Sequence, residues 1–447
     1  MKRGEVIELE IIGMAFGGYG FGHILVGDKK MVVYVDKTVP GDILRVQITG
    51  KKRRFFNAQI VEFIKLATNR IPPKCVHFEQ CGGCSMQNLP YVEQLKIKQK
   101  NVSQMIKNIG RLNENIVKPI LKCDREWFYR NKMEFSFDYP PEGKLDLGLH
   151  LRRRHHDVIE QKECYLMSDW TADFVVNVRD FFRSRELTNE PKLLSLVLRE
   201  GKNTGEKMVN LICENGEATF LNEFKEICSG FNSVYYTNFT NIKGQPKSIC
   251  ETLLSGKPSI KEALLINNQK LEFDISPKSF FQPNTHQAQV LYENVIKAAD
   301  LKGDEIVFDL YCGAGTIGLC LAHNCKKVYG IEIIEDAIKN ARENAEKNNI
   351  TNTEFICGDV RNELNKIDDK PDIVIIDPPR AGLHEDTISF IGSAEIPKII
   401  YISCNPSTLA RDLDLFSKTG YSTSSVQPVD MFPHTYHIES VAVLSKN

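Results

Sequence analysis

Apolar and polar positions alternate with a period near two through the first 65 residues. That alternation predicts short β-strands over Glu5–Ile12, Met31–Val35, Ile43–Thr49 and Phe56–Phe63, with Gly and Asp-Lys punctuation between them. A small five-stranded barrel of the OB type suits the pattern. Ile71-Pro72-Pro73 then reads as a stiff linker. From Tyr91 to Leu112 the period changes to 3.6, with Leu95, Val102, Met105, Ile106 and Ile109 on one face and Gly110 near the end, which predicts a helix. Between about Cys123 and Leu271 the pattern is a mixture of strands and helices whose order the periodicity leaves open.

The last stretch is clearer. Ile306–Leu310, Lys327–Glu332, Glu354–Gly358, Asp372–Ile376 and Lys398–Ser403 are short apolar runs separated mostly by helical patterns, such as Glu335–Asn348 with Ala337, Ile338, Ala341 and Ala345 on one side. Strands alternating with helices predict a parallel, doubly wound sheet. The expected fold is therefore multidomain α/β: a β-barrel over 1–67, a central α+β domain over 68–271 and a doubly wound domain over 272–447. The helix of 91–112 is expected to pack on the last of these.

Composition changes this picture in two respects. Across 447 residues, 42% are apolar and 26% charged, as in a folded globular protein, and no apolar run is long enough to span a bilayer. The opening MKRGEVIELEI lacks the features of a signal peptide, so a cytoplasmic address is expected. The net charge of −1 hides an asymmetry: basic residues exceed acidic ones up to Tyr165, and the reverse holds beyond it. A basic front half points to a polyanionic partner. Within it, the insert MAFGGYGFGH interleaves Phe16, Tyr19 and Phe21 with glycines, and the run Lys51, Lys52, Arg53, Arg54, Phe55, Phe56 joins charge to rings. Flat rings on a flexible loop can stack on unpaired bases while cations meet phosphates, although Phe55 and Phe56 serve equally well as barrel core. Arg130, Lys132 and the arginines 152–154, Arg153 among them, are further candidates for RNA contact.

Thirteen cysteines are an odd number for a disulfide framework and raise the prospect of metal or catalytic roles. Cys75, Cys81 and Cys84 are spaced C-x5-C-x2-C on a glycine-containing loop. Thiolates gathered so closely suit a soft metal centre, and zinc and a four-iron cluster both accept four cysteines.

Parallel sheets bind ligands beyond the carboxyl ends of their strands. EIVFDL runs into YCGAGTIGLCLA, where Gly313 and Gly315 let the backbone approach a ligand closely. Glu332 ends the next strand, where it can bind the two ribose hydroxyls of an adenosine. This arrangement serves a dinucleotide or S-adenosylmethionine. The further strand ends, Gly358-Asp359 and Asp377-Pro-Pro-Arg380, resemble the class I methyltransferase fold and favour S-adenosylmethionine over a nicotinamide cofactor.

Cys404 follows KIIYIS and precedes Asn405-Pro406, at the same sheet edge. Carbon 5 of uracil is a poor nucleophile, and addition of a thiolate to carbon 6 turns the ring into an enolate that attacks a methyl group through carbon 5. The proton at carbon 5 must then leave, and Glu439 in PHTYHIES is the candidate base.

SCNPSTLARDL, DPPRAGL, SFFQPN, FYRNKMEFSF and PHTYHIE together resemble the RNA uracil-5-methyltransferase family across the chain. The amino-terminal part is similar to a TRAM domain. The cysteine spacing resembles the branch of the family that acts on 23S ribosomal RNA. The resemblance implies Cys404 as nucleophile and Glu439 as proton acceptor. It also implies Gln282, Tyr311, Glu332 and Asp377 as S-adenosylmethionine contacts, and a [4Fe–4S] cluster with Cys164 as the fourth ligand. RNA cytosine-5 methyltransferases carry a further cysteine where this chain has Arg380. The alternatives are the same chemistry on tRNA, a non-catalytic RNA-binding factor in ribosome assembly, and an NAD-dependent oxidoreductase. An obligate protein partner and a membrane association are not expected.

Overall fold

The computed structural model describes residues 2–140, 144–187, 190–241 and 248–447. At the amino end, six strands form one sheet in the order Val6–Glu10, Ile43–Lys51, Phe55–Lys65, Lys29–Asp36, Tyr19–Val26, Gly13–Ala15. Just past the first strand, the Ile12 N–H donates to the Phe21 carbonyl at 2.9 Å, so the sheet curls back toward its own starting edge. Leu9, Val33, Val35, Val46, Ile48 and Phe56 fill the inside. The glycine-aromatic insert, expected as a flexible loop, instead supplies most of two strands. A Cβ on Gly20 would run into Thr38 and one on Gly22 into the Glu10 carbonyl, so these glycines permit close packing in the curled sheet rather than mobility.

The central region holds a second six-stranded sheet, ordered Ser248–Gly256, Ser233–Thr240, Lys207–Glu214, Lys192–Glu200, Lys132–Asp138, Asp146–Gly148. The helix Trp170–Arg183 buries Phe174, Val175, Val178 and Phe182 in its core. The boundary expected between 271 and 272 falls inside a strand. Ile260–Ile266 and Gln269–Ile275 form a hairpin whose Leu264, Leu271 and Phe273 pack into the carboxyl-terminal core, so this hairpin belongs with the last domain.

The carboxyl-terminal sheet has seven strands, ordered Thr353–Cys357, Lys327–Glu332, Ile306–Leu310, Ile373–Ile376, Lys398–Ser403, Glu439–Lys446, Tyr421–Val429. The first five run parallel, and Glu439–Lys446 is antiparallel to both of its neighbours. Two apolar layers cover it. Val307, Ile375, Ile402 and Val441 face one layer together with the helix Thr285–Ala299, and Phe308, Val374, Tyr401 and Ala442 face the other. Among the described residues no helix is long and apolar enough to cross a membrane.

The helix of the linker region spans Tyr91–Asn108 and not the full 91–112. Arg111 turns into the left-handed region (φ 55°), and a Cβ on Gly110 would stand 2.7 Å from the Ile106 carbonyl, so the chain leaves the helix there. Val102 and Ile106 pack with Leu409 and Ala410 of the helix Pro406–Lys418. One turn nearer its start, Lys98 Nζ meets Asp430 Oδ1 at 2.6 Å and donates to the Phe432 carbonyl at 3.0 Å, while the Tyr91 hydroxyl donates to Asp430 Oδ2 at 2.8 Å. Lys98 and Asp430 are 1% and 0% exposed, so neither charge has water to fall back on. Lys98→Met is expected to lower stability by about 3–5 kcal/mol, because it leaves a buried carboxylate uncompensated. Urea denaturation measures this; a loss under about 1 kcal/mol would mean that the pair behaves as a solvated one.

Candidate active site

Side chains two apart along a strand share a face of the sheet. Asp309, Asp377, Cys404 and Glu439 each lie two residues from Val307, Ile375, Ile402 and Val441, so all four lie on the face covered by the helix Thr285–Ala299. In the antiparallel ladder Ser403 pairs with Ser440, and one step further this register brings Cys404 opposite Glu439. Cys404 is half-buried and Glu439 is 4% exposed. The helix after the thiol fixes its turn. Asn405 caps that helix by accepting from the Ser407 N–H at 3.0 Å, and its Nδ2 donates to the Arg380 carbonyl at 3.2 Å. Thr408 donates to the same carbonyl at 3.3 Å. The DPPR turn and the Cys404 turn are thereby held as one unit.

Burial, and then the neighbouring Glu439, push the Cys404 thiol up to about 11, with Arg380 working in the opposite direction. Burial and Asp377 likewise hold Glu439 well above the ordinary carboxylate range. Burial raises Asp377 to about 7. The resting thiol is consequently protonated at neutral pH, and its thiolate fraction grows about tenfold per pH unit up to its raised value. Alkylation of Cys404 by iodoacetamide in the free enzyme should therefore accelerate about tenfold per unit between pH 7 and 10. A rate that is flat over this range, followed by peptide mass spectrometry, would contradict that environment.

A cleft of about 320 Å³ opens beside this face, lined by Tyr311, Glu332, Ile333, Gly358, Asp359, Arg361, His384 and Thr387 among others. The glycine turn follows directly on the lining residue Tyr311. Gly313 and Gly315 both have positive φ, and a Cβ on Gly315 would stand 2.7 Å from the Phe355 ring, so only glycine fits there. Glu332 accepts from the N–H groups of Ile333 at 2.8 Å and Ile334 at 3.0 Å, with Gly313 N–H at 3.3 Å on its other oxygen. Asp359 caps the next turn, accepting from the Arg361 N–H at 3.0 Å, and the Arg361 side chain holds its carboxyl below the usual range. Gln282 is buried under the central domain, its carbonyl accepting from Asn131 Nδ2 at 2.8 Å. Tyr311, Glu332 and Asp359 thus line one cleft, with Gly313 joined to it through Glu332 and Asp377 on the neighbouring strand end.

Three participants were not assigned roles from the sequence. Tyr292, 3% exposed, stands within electrostatic reach of Asp377, Asp309 and Glu439, and its periodicity in the sequence is that of an ordinary core position. Asp309 is 0% exposed and accepts from the Gly318 N–H at 2.8 Å through Oδ2, while Oδ1 has no partner among the described residues. Arg380 acts electrostatically on both the Cys404 thiol and the Glu439 carboxyl, and the DPPR motif was the available signal for it.

Cys75, Cys81, Cys84 and Cys164 all carry free thiols within electrostatic reach of one another. Among the described residues, no group of three or more His, Cys, Asp or Glu side chains is gathered as metal ligands. Burial pushes Cys75 and Cys84 up to about 12, and neighbouring thiolates add to the rise. The surroundings nevertheless suit thiolate ligands. Gly83 N–H donates to Cys81 Sγ at 3.3 Å, Cys164 receives the Leu166 and Met167 N–H groups, and Cys84 receives the Gln87 side chain. Lys37 Nζ holds the same loop through the carbonyls of Phe78 and, at 2.9 Å, Cys84.

The expected RNA-facing residues divide into two groups. Lys51 and Arg53 are exposed. Arg153 and Arg152 stand over the Tyr19 ring at 4.9 and 5.3 Å. Phe16, by contrast, meets Tyr436 edge-on at 5.4 Å and packs into the carboxyl-terminal core, so its ring is used between domains. Arg130 lies over Phe432 at 5.6 Å, and burial lowers the Lys132 ammonium, with Arg199 as a further cause.

A family model described as tRNA (Uracil-5-)-methyltransferase matches residues 240–447. The chain is 36% identical to an uncharacterised RNA methyltransferase of Clostridium tetani, over 100% of this chain and 99% of that one. It is 35% identical to another from Caldanaerobacter subterraneus subsp. tengcongensis, over 100% of both. The fold is similar to the crystal structure of Pyrococcus abyssi tRNA (uracil-54, C5)-methyltransferase in complex with S-adenosyl-L-homocysteine, with a TM-score of 0.75 and 28% identity, covering 98% of this chain and 100% of that one.

Proposed function

Because this chain belongs to the RNA uracil-5-methyltransferase family and is an S-adenosylmethionine-dependent RNA methyltransferase, we propose that it methylates carbon 5 of a uridine in 23S ribosomal RNA through a covalent adduct of Cys404. The observation that carries the chemistry is the thiol of Cys404 opposite the buried carboxyl of Glu439 at the carboxyl edge of the sheet.

When bound, S-adenosylmethionine supplies an electrophilic methyl group. Glu332 is suited to the ribose hydroxyls, Gly313 and Gly315 to close backbone approach, and Tyr311, Asp359, Asp377 and Gln282 to the remaining contacts. Cys404, as thiolate, adds to carbon 6 of the uracil, and the ring electrons shift so that carbon 5 becomes nucleophilic. After carbon 5 has gained the methyl group, Glu439 takes the proton from it and the carbon–sulfur bond breaks, returning the thiolate. The raised proton affinity of the Glu439 carboxylate favours that acceptance. Arg380 supports both charged states.

Cys75, Cys81, Cys84 and Cys164 would hold a [4Fe–4S] cluster, with zinc the lesser alternative. The N–H groups directed at three of the sulfurs support that reading, and the bound group would pin the loop between the first two domains. The curled amino-terminal sheet is read as a TRAM-like RNA-binding unit, with Lys51, Arg53, Tyr19 and Arg153 toward the RNA. Ribosomal RNA as substrate is supported by the resemblance of the cysteine arrangement to the rRNA-modifying branch. Transfer of labelled methyl to 23S rRNA fragments and to tRNA, assayed side by side, tests it. Label in the rRNA fragment is expected; label in tRNA alone would overturn the substrate assignment and leave the chemistry standing.

A further inference from the structure

The loop that leads into Glu439 is held at a single strained residue. His434 carries a Cβ yet adopts a left-handed backbone (φ 65°) and is 4% exposed. A side-chain-bearing residue keeps that conformation only where its surroundings over-determine it. Here they do. The His434 carbonyl accepts from two consecutive N–H groups of the cysteine loop, Ser85 at 2.9 Å and Met86 at 3.0 Å. Its own N–H donates to Gln94 Oε1 at 2.9 Å. Gln94 Nε2 donates to the Met86 carbonyl at 3.0 Å and the Leu89 carbonyl at 2.9 Å, and it lies 3.1 Å from His434 Nδ1. The imidazole stacks on Trp127 at 3.6 Å with 19° between planes. The flanking carbonyls are held as well, Pro433 by the Tyr129 hydroxyl at 3.0 Å and Phe432 by Lys98 at 3.0 Å.

Three separate parts of the chain therefore converge on one residue five positions before Glu439: the cysteine loop, the helix Tyr91–Asn108 and the central-domain segment at Trp127 and Tyr129. Cys404 is positioned by other means, through Asn405, Thr408 and the helix Pro406–Lys418. The two halves of the reaction thus have separate supports.

We propose that His434 is a positioning residue that sets the Glu439 carboxyl for removal of the carbon 5 proton, by tying its loop to the cysteine loop at Ser85 and Met86. The addition of Cys404 to the uracil does not depend on it. The inference rests on the reading of Glu439 as the base.

The test uses full-length enzyme with RNA carrying tritium at carbon 5 of the target uridine, and compares His434→Ala, His434→Asn and Glu439→Gln. Tritium release reports proton removal, and a denaturation-resistant enzyme–RNA complex reports the adduct. His434→Ala is expected to slow tritium release roughly 10- to 100-fold, the scale of a misplacement of about 1 Å, with adduct accumulating. Hydrogen exchange at the Ser85 and Met86 amides should quicken in the same variant, a readout independent of turnover. Asparagine adopts left-handed backbone readily, so His434→Asn should recover most of the lost rate. Tritium release at the wild-type rate in His434→Ala, a fall without adduct while Glu439→Gln does accumulate adduct, or asparagine no better than alanine would each overturn the proposal. A Glu439→Gln enzyme that forms no adduct removes the base assignment itself, and this inference with it.

Discussion

Cys404→Ala is expected to abolish methyl transfer from S-adenosylmethionine to RNA, a loss of at least about 10⁴-fold, because a residue that forms the covalent bond has no substitute. The thiol lies at the edge of a well-packed sheet, flanked by the buried Ile402 and Pro406, so replacing it by a methyl group should leave fold and RNA binding intact. Filter-binding of tritiated methyl groups to RNA measures the loss, and a melting curve checks the fold. Residual transfer within about tenfold of the wild type, at most about 1.4 kcal/mol of transition-state stabilisation, would mean that carbon 5 is activated without this sulfur.

The second large effect is expected at Glu439. Glu439→Gln keeps the volume and a hydrogen-bonding end but cannot accept a proton. Addition and methylation should proceed and elimination should stall, so turnover falls by roughly 10²- to 10⁴-fold while the enzyme remains bound covalently to RNA already methylated at carbon 5. The sign of the pH effect follows from the raised proton affinity of this carboxyl. In the wild type, the basic form is lost as pH falls through a value above the ordinary carboxylate range, so elimination weakens on the acid side at unusually high pH. The glutamine variant should lack that acid limb. A variant that turns over with the same acid limb would assign the base elsewhere.

Much of the last domain was legible because parallel strands buried on both faces read as unbroken apolar runs, and their carboxyl ends are where chemistry collects. The ends at Glu332, Asp377 and Cys404 could therefore be read along the chain. The pairing of Cys404 with Glu439 could be inferred only through the chemistry, since 35 residues separate them and only the antiparallel return of the final strand brings them together. Tyr292 was not legible at all, because a buried phenol beneath three carboxylates has the periodicity of any helix core residue. The Gly20 and Gly22 strand was misread for a definite reason. Glycine between aromatics signals both a loose loop and a strand packed too closely for side chains, and only the crowding at Thr38 and Glu10 distinguishes them. The packing of the hairpin Ile260–Ile275 was not legible either, since hairpin strands carry no mark of the core they will join.

The most direct measurement is peptide mapping of the complex formed between this enzyme, S-adenosylmethionine and RNA bearing 5-fluorouridine at the target, where fluorine blocks the final proton loss. The account predicts one cross-linked peptide, with carbon 6 of the methylated pyrimidine bonded to the sulfur of Cys404. A cross-link to any other residue, or active enzyme that forms no complex, would contradict it.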